Sequence, residues 1–204
     1  MTLIKICGVT RLSDAVTAAE AGADYIGFNF YSPSPRYVKP EKAREIIMGL
    51  PDDVEAVGVF VNENPARIME ICRTAAIGTV QIHGDEPEGF ENNLELPVIR
   101  ALRVSGPSDM EGMERHKPFA FLIDSKSEVY GGSGKKADWD LAAKAKEKAE
   151  KLILAGGLSP DNVEEAIKIV KPWAVDTASG VETSPGQKDH EKIRRFIEAV
   201  KNVT

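Results

Sequence analysis

Eight short apolar runs, each followed by a helical or polar stretch, constrain this chain more than any other feature. They begin near Leu3, Asp24, Glu55, Ile77, Pro97, Phe119, Lys151 and Trp173. Runs this short read as strands, and strands that alternate with helices are parallel, joined by right-handed crossovers. Eight such units within 204 residues predict an α/β fold, a compact (β/α)8 barrel with eight parallel strands. A doubly wound open sheet is the alternative, but no G-x-G-x-x-G follows the first run. No linker or shift of composition interrupts the pattern, so residues 1–204 read as a single domain.

Local signals agree with that order. Ser13-Asp14 lead into A-V-T-A-A-E-A-G, with Gly22 as the stop. Pro40, Pro65 and Pro160 each stand where a first helical turn tolerates proline. Most run-to-run intervals are close to the minimum of about twenty residues for a strand, a helix and two turns. The intervals after the second and sixth runs are each about ten residues longer. The first surplus contains Y-S-P-S-P-R-Y-V and the second S-K-S-E-V-Y-G-G-S-G-K-K. Both follow the C-terminal ends of their strands, the face on which such barrels build their sites.

The first run, L-I-K-I-C, is the most informative. Alternation puts Leu3, Lys5 and Cys7 on one face, so an ammonium lies one step beneath a thiol at the strand end. A nearby cation favours the thiolate, the nucleophilic and basic form of cysteine. A small hydrophobe ending a buried strand is the plainer reading of a lone cysteine. Asp124 closes the sixth run at the corresponding end, where partial desolvation would let a carboxyl hold a proton near neutrality. Taken alone it is equally a turn-former; paired with Cys7 it is an acid facing a base. The glycines at 131, 132 and 134 suit a loop that closes over a ligand, or simply a long surface loop.

The seventh run ends in A-G-G-L-S-P-D-N-V and the eighth in D-T-A-S-G. Glycines and helix starts after these two strands are where barrels cradle a phosphate with backbone N–H groups, here Gly156, Gly157, Ser179 and Gly180. Arg36, in a proline-stiffened loop, suits bidentate binding of a carboxylate, although an exposed arginine is usually only solvated. His83, just past the fourth run, is either a polar wall of the pocket or part of a capping turn. Three histidines without suitably spaced carboxylates do not make a metal set.

A net charge of −6 and a pI near 5.2 argue against nucleic acid or an anionic membrane as partner. Cys7 and Cys72, far apart, do not suggest a disulfide framework. No stretch approaches the apolar length of a membrane span, and the expectation is a reduced, cytoplasmic protein.

The ordered motifs K-I-C-G-V-T, G-F-N-F-Y-S-P-S-P-R-Y-V, V-G-V-F-V-N, V-Q-I-H-G-D-E, L-I-D-S-K, Y-G-G-S-G-K, L-A-G-G-L-S-P-D-N-V and V-D-T-A-S-G-V-E-T-S-P-G-Q-K-D run nearly end to end. Through them the chain resembles the phosphoribosylanthranilate isomerases of tryptophan biosynthesis. The resemblance implies a (β/α)8 barrel that performs an Amadori rearrangement of a small phosphosugar without cofactor or metal, as a monomer or homodimer. It implies Cys7 as general base, Asp124 as general acid, Arg36 for the anthranilate carboxylate, and the loops at Gly156-Gly157 and Ser179-Gly180 for the phosphate. Ala178 departs from the expected pattern by lacking a side-chain hydroxyl there. Independently of the family, Lys5 and Asp176 are expected to form a buried pair that tunes the Cys7 thiol. Two rival readings remain: a related sugar-phosphate isomerase or epimerase barrel, which would have no use for Arg36, and a non-catalytic barrel, which would not need Cys7 or Asp124.

Overall fold

The computed structural model describes residues 1–124 and 139–203. Eight parallel strands close into a barrel in sequence order. They are β1 (Leu3–Cys7), β2 (Tyr25–Asn29), β3 (Glu55–Phe60), β4 (Thr79–Ile82), β5 (Val98–Arg103), β6 (Ala120–Asp124), β7 (Leu152–Ala155) and β8 (Ala174–Thr177). Each begins within about two residues of an expected start, because the apolar runs are short and bounded by turn residues. Closure between β1 and β8 pairs Leu3 with Ala174 and Lys5 with Asp176, and leaves no exposed edge.

Around the barrel lie α1 (Leu12–Ala21), α2 (Pro40–Ile47), α3 (Pro65–Ala75), α4 (Trp139–Lys148), α5 (Val163–Val170) and α6 (His190–Lys201). Gly22 ends α1 in the left-handed conformation, with φ 107°, as its position foretold. The α1 cap itself is Arg11 rather than Ser13, and no side chain closes it. Pro40 and Pro65 occupy first helical turns. Pro160 instead lies in a turn before α5, although the Val163 N–H already donates to the Ser159 carbonyl at 3.1 Å.

The connections after β4 and β5 depart from the ideal repeat: short 3₁₀ turns stand where α-helices would be. Gly89 and Gly112 adopt positive φ there, and Pro107 and Pro118 further break helical runs. The outward face of β5 is covered by a polar tie instead. Arg100, buried, pairs with Glu91 at 2.7 Å and donates to the carbonyls of Glu86 and Pro87 at 3.0 Å each. A buried arginine with those acceptors satisfied can stand where a helix face would otherwise pack.

Alternation sorts the strand side chains. Ile4, Ile6, Ile26 and Phe28 join the core between barrel and helices. Val57, Leu122, Ile153 and Ala174 fill the barrel interior, with Tyr25 and Trp173 packed against them. Toward the C-terminal strand ends the interior turns polar, and the site begins there. No helix among the described residues is long and apolar enough to cross a membrane.

Candidate active site

A cavity of about 490 Å³ opens at the C-terminal mouth of the barrel. Cys7, Arg36, His83, Asp124, Gly156, Gly157, Asp176 and Ser179 all line it. The sequence had therefore selected residues from β1, β4, β6, β7, β8 and the loop after β2 that converge on one pocket. Gly180 lies outside the lining. It works from behind, because a Cβ there would run into the Leu158 carbonyl; only glycine lets the β7 and β8 loops approach so closely. The proposed glycine-rich closing loop, at 131–134, falls outside the described residues.

Cys7 is the last residue of β1, and its register partner on β2 is Gly27. A Cβ on Gly27 would lie 2.8 Å from Sγ, so glycine makes room for the sulfur. Beneath it, Lys5 is fully buried and donates to Asp176 Oδ1 at 2.7 Å, which realises the expected pair. Burial alone would pull the Lys5 pKa down, but Asp176 and Cys7 outweigh it and hold the ammonium above its ordinary value. The effect on the thiol is more balanced than the sequence suggested. Burial pushes Cys7 up, Lys5 pulls it down, Asp176 pushes it up again and Lys188 pulls it down; the outcome is a pKa above that of an ordinary thiol. Lys5 therefore limits the cost of burying the thiolate without reversing it.

Asp124 ends β6, three strands from β1 around the ring. Its Oδ2 lies 3.8 Å from His83 Nε2, and its Oδ1 is buried with no hydrogen-bond partner among the described residues. Burial holds His83 below its ordinary pKa despite Asp124 and Asp176, and Gln81 Nε2 sits 3.0 Å from its Nδ1. His83 thus forms a neutral polar wall beside the carboxyl, and the capping-turn reading is set aside.

The loop after β2 is built on Asn29. Its side chain accepts from the Tyr31 N–H at 2.9 Å and bonds Ser34 Oγ at 3.2 Å, and Ser34 Oγ accepts the Arg36 N–H at 3.1 Å. This turns the Arg36 stem back over Gly8, whose φ of 72° and lack of a Cβ permit the contact. The guanidinium is not free. It forms a two-point pair with Glu182, Nε to Oε1 at 2.8 Å and Nη2 to Oε2 at 2.7 Å, which raises its pKa further. Nη1 takes no part in that pair.

Gly156 and Gly157 both take positive φ, 94° and 71°. Asn162 braces their loop by donating to the Gly157 carbonyl at 3.1 Å and accepting from the Ser159 N–H at 2.8 Å. Thr177 Oγ1 donates to the Leu158 carbonyl at 2.7 Å and ties this loop to the β8 loop. A short 3₁₀ turn starts at Ser179, with Ala178 as its cap. The N–H groups of Gly157 and Ala178 meet no acceptor among the described residues. Open backbone donors on adjacent loops are the arrangement by which a main chain binds anions.

Sequence reasoning missed several members. Asn29, Gln81 and Arg103 line the cavity, and each occupies an inward-alternating or terminal strand position where a polar residue was itself a signal. Glu182 and Lys188 pair with each other six positions apart, but nothing local ties them to the site, since Arg36 and Cys7, which they hold, are 146 and 181 positions away. Among the described residues, no cluster of three or more histidine, cysteine or carboxylate side chains is placed to hold a metal ion.

The geometry has counterparts in known proteins. The family model described as N-(5'-phosphoribosyl)anthranilate (PRA) isomerase matches residues 4–199. The N-(5'-phosphoribosyl)anthranilate isomerase of Thermotoga neapolitana is 47% identical over 205 residues, covering 100% of both chains. The crystal structure of phosphoribosyl anthranilate isomerase from Thermotoga maritima superposes with a TM-score of 0.93 at 45% identity, covering 99% of this chain and 100% of that one. Another phosphoribosyl anthranilate isomerase structure, in complex with reduced 1-(o-carboxyphenylamino)-1-deoxyribulose 5-phosphate, gives 0.90 at 42% identity, over 99% and 100% of the two chains. A match of that identity over the whole length, on a barrel with the same fold, leaves no other assignment: the chain belongs to the phosphoribosylanthranilate isomerase family.

Proposed function

We propose that this protein converts N-(5'-phosphoribosyl)anthranilate to 1-(2-carboxyphenylamino)-1-deoxyribulose 5-phosphate, with Asp124 as general acid and Cys7 as general base. The observation that carries the reading is their convergence on one cavity, with an anion cradle and an arginine at its rim. Asp124 protonates the ribose ring oxygen, the C1–O bond breaks, and the anilinic nitrogen's lone pair forms a protonated Schiff base. That cation acidifies the hydrogen on the sugar's second carbon. Cys7 removes it as thiolate, giving an enolamine that tautomerises to the ketose. One acid and one base suffice, so the reaction calls for no cofactor or metal, and each contributes roughly 10²- to 10⁴-fold.

On the same reading, Gly156, Gly157, Ser179 and the loop spacing set by Gly180 hold the phosphate, His83 and Asp176 line the sugar, and Arg36 takes the carboxylate. Residues 1–204 act as one catalytic domain, as a monomer or homodimer. The presence of Arg36 at the rim favours this substrate over sugar phosphates that lack an aromatic acid. The test is direct: the purified protein is given phosphoribosylanthranilate, and the loss of its anthranilate-type fluorescence is followed. Absence of turnover by the folded protein would overturn the reading.

A further inference from the structure

After β8 the chain makes a small hairpin, β9 (Glu182–Ser184) with β10 (Gln187–Lys188), before entering α6. Nothing in the proposed reaction uses it, yet it carries two buried charges. Lys188 is fully buried at its side chain and has three acceptors for its three protons: the Cys7 carbonyl at 2.6 Å, the Ala178 carbonyl at 3.0 Å and Glu182 Oε1 at 2.9 Å. Glu182 is nearly as buried. Beyond Lys188 it takes both contacts from Arg36 and the Gly186 N–H at 3.2 Å. The hairpin is itself held down, since the Lys188 N–H donates to Asp14 Oδ2 at 3.2 Å and Thr10 Oγ1 donates to the Gly186 carbonyl at 2.6 Å.

One ammonium thus touches the strand end that bears the thiol and the first residue of the β8 loop, and through one carboxylate it reaches the guanidinium. Those are the three parts that must keep fixed separations if a single ligand is to span acid–base groups, phosphate cradle and carboxylate site. A buried pair is a poor device for stability alone, because an apolar pair of the same volume does as well. Here Lys188 instead gives two of its three protons to the Cys7 and Ala178 carbonyls, and Glu182 takes both contacts from Arg36. We propose that Lys188 and Glu182 are positioning residues: a buried pair on the β9–β10 hairpin that sets Cys7, the Ala178 loop and Arg36 at the spacing the substrate requires. The proposal rests on the isomerase reading for its substrate, but not for its geometry.

The two ends predict different defects. Lys188 also pulls the Cys7 pKa down, with Lys5 assisting from beneath and Asp176 opposing; Arg36 is the remaining charged neighbour. Lys188→Met should therefore lower the turnover number and slow alkylation of Cys7 by iodoacetamide at neutral pH, each by about tenfold, the worth of one unit of thiol pKa. Glu182→Gln should leave the turnover number less affected, but raise KM and weaken binding of free anthranilate by about tenfold, with inorganic phosphate binding within about twofold of the parent. Lys192→Met, which removes a cation whose one side-chain bond among the described residues is to the Glu182 carbonyl at 3.1 Å, should change none of these.

The alkylation is read by peptide mass at Cys7, with circular dichroism as the check on folding. A purely structural hairpin would lower thermal stability in both variants with no such split. Alkylation and turnover at the parent level in folded Lys188→Met, or parent-level anthranilate binding in folded Glu182→Gln, would overturn the proposal. If Lys188→Met does not fold, Glu182→Gln decides alone. If the parent turns over no phosphoribosylanthranilate, the isomerase reading has failed, and Cys7 alkylation in Lys188→Met still tests the positioning.

Discussion

Replacing Lys5 by Met should both destabilise the protein and disarm Cys7, and a second substitution should separate the two effects. Lys5 is 0% exposed and its partner Asp176 is also buried, 2.7 Å away. Removing the ammonium strands a carboxylate in the barrel interior, a change that costs about 3–5 kcal/mol when a buried pair is broken from one side. Adding Asp176→Asn removes the stranded charge, so the double variant should regain at least half of the loss. With a urea slope of roughly 2–3 kcal/mol per molar for a chain of this size, the single variant's midpoint should fall by about 1–2 M. The measurement belongs at neutral pH. The Lys5 pKa is raised on folding, so its contribution is fully present below the unfolded value and is lost only as pH climbs through the folded one.

Activity should not follow stability. Lys5 is the largest influence that opposes burial of the Cys7 thiolate, so both the single and the double variant lose it. kcat/KM at neutral pH should fall on the order of tenfold or more in each. Because Asp176 also lines the cavity, the thiol itself is the readout: a urea midpoint restored while Cys7 alkylation stays slow is the signature of a cation retained for its effect on the thiol. If Lys5→Met costs under about 1 kcal/mol and the two substitutions simply add, the buried pair is not the device described here.

Other variants test the remaining roles. Cys7→Ala should fold and bind inorganic phosphate while nearly abolishing turnover; Cys72→Ala, in the α3 packing face, should lower stability and leave turnover near normal. In the parent, the rate of Cys7 alkylation should keep rising with pH beyond the ordinary thiol value of about 8.5, because burial holds that thiol up; a plateau near neutrality would refute the balance of charges drawn for it. Arg36→Ala should raise KM about ten- to hundred-fold with a smaller fall in kcat, from loss of a charge-assisted contact worth roughly 1.5–3 kcal/mol. A product analogue without the carboxylate should bind parent and Arg36→Ala about equally. Asp124→Asn, given substrate deuterated at the sugar's second carbon, should release no label to solvent.

Much of the barrel was written in local pattern. Short apolar runs bounded by Gly and Pro placed every strand, because burial on both faces and turn chemistry act over a few residues. Alternation likewise put Lys5 and Cys7 on one face. The missing helices after β4 and β5 were less legible: Gly106, Pro107 and Gly112 warned against a helix, but nothing near Arg100 told that Glu91 would cover that face instead. In the site, strand-end residues were readable as chemistry and their convergence followed from the barrel. What could not be read was the state of Arg36, whose partner Glu182 lies 146 positions away, or the support of Cys7 by Lys188, 181 positions away. Those contacts exist only after closure. The sign of the Cys7 shift was misjudged for a related reason: proximity to Lys5 shows in sequence, whereas the depth of burial that outweighs it does not.

The charges around Cys7 bear on the order of the proposed steps. Lys5, Lys188 and Arg36 are cations, and Asp176 and Glu182 are carboxylates, so the five groups carry one net positive charge. In the free protein that excess is what an ionised thiol would neutralise. A substrate carboxylate on Arg36 takes it up first, so binding alone makes the thiolate harder to form. The compensation comes from the chemistry. Once Asp124 has opened the ring, the protonated Schiff base is a cation beside the hydrogen that Cys7 must remove, which restores a positive neighbour and acidifies that hydrogen in one event. The base is therefore armed by the acid step rather than before it, and a thiol with a raised pKa suits the task, since it is the stronger base when its turn arrives. Retention of the label in Asp124→Asn follows from this order; release would mean that Cys7 acts on the closed ring, and that the charge set around it serves the free protein alone.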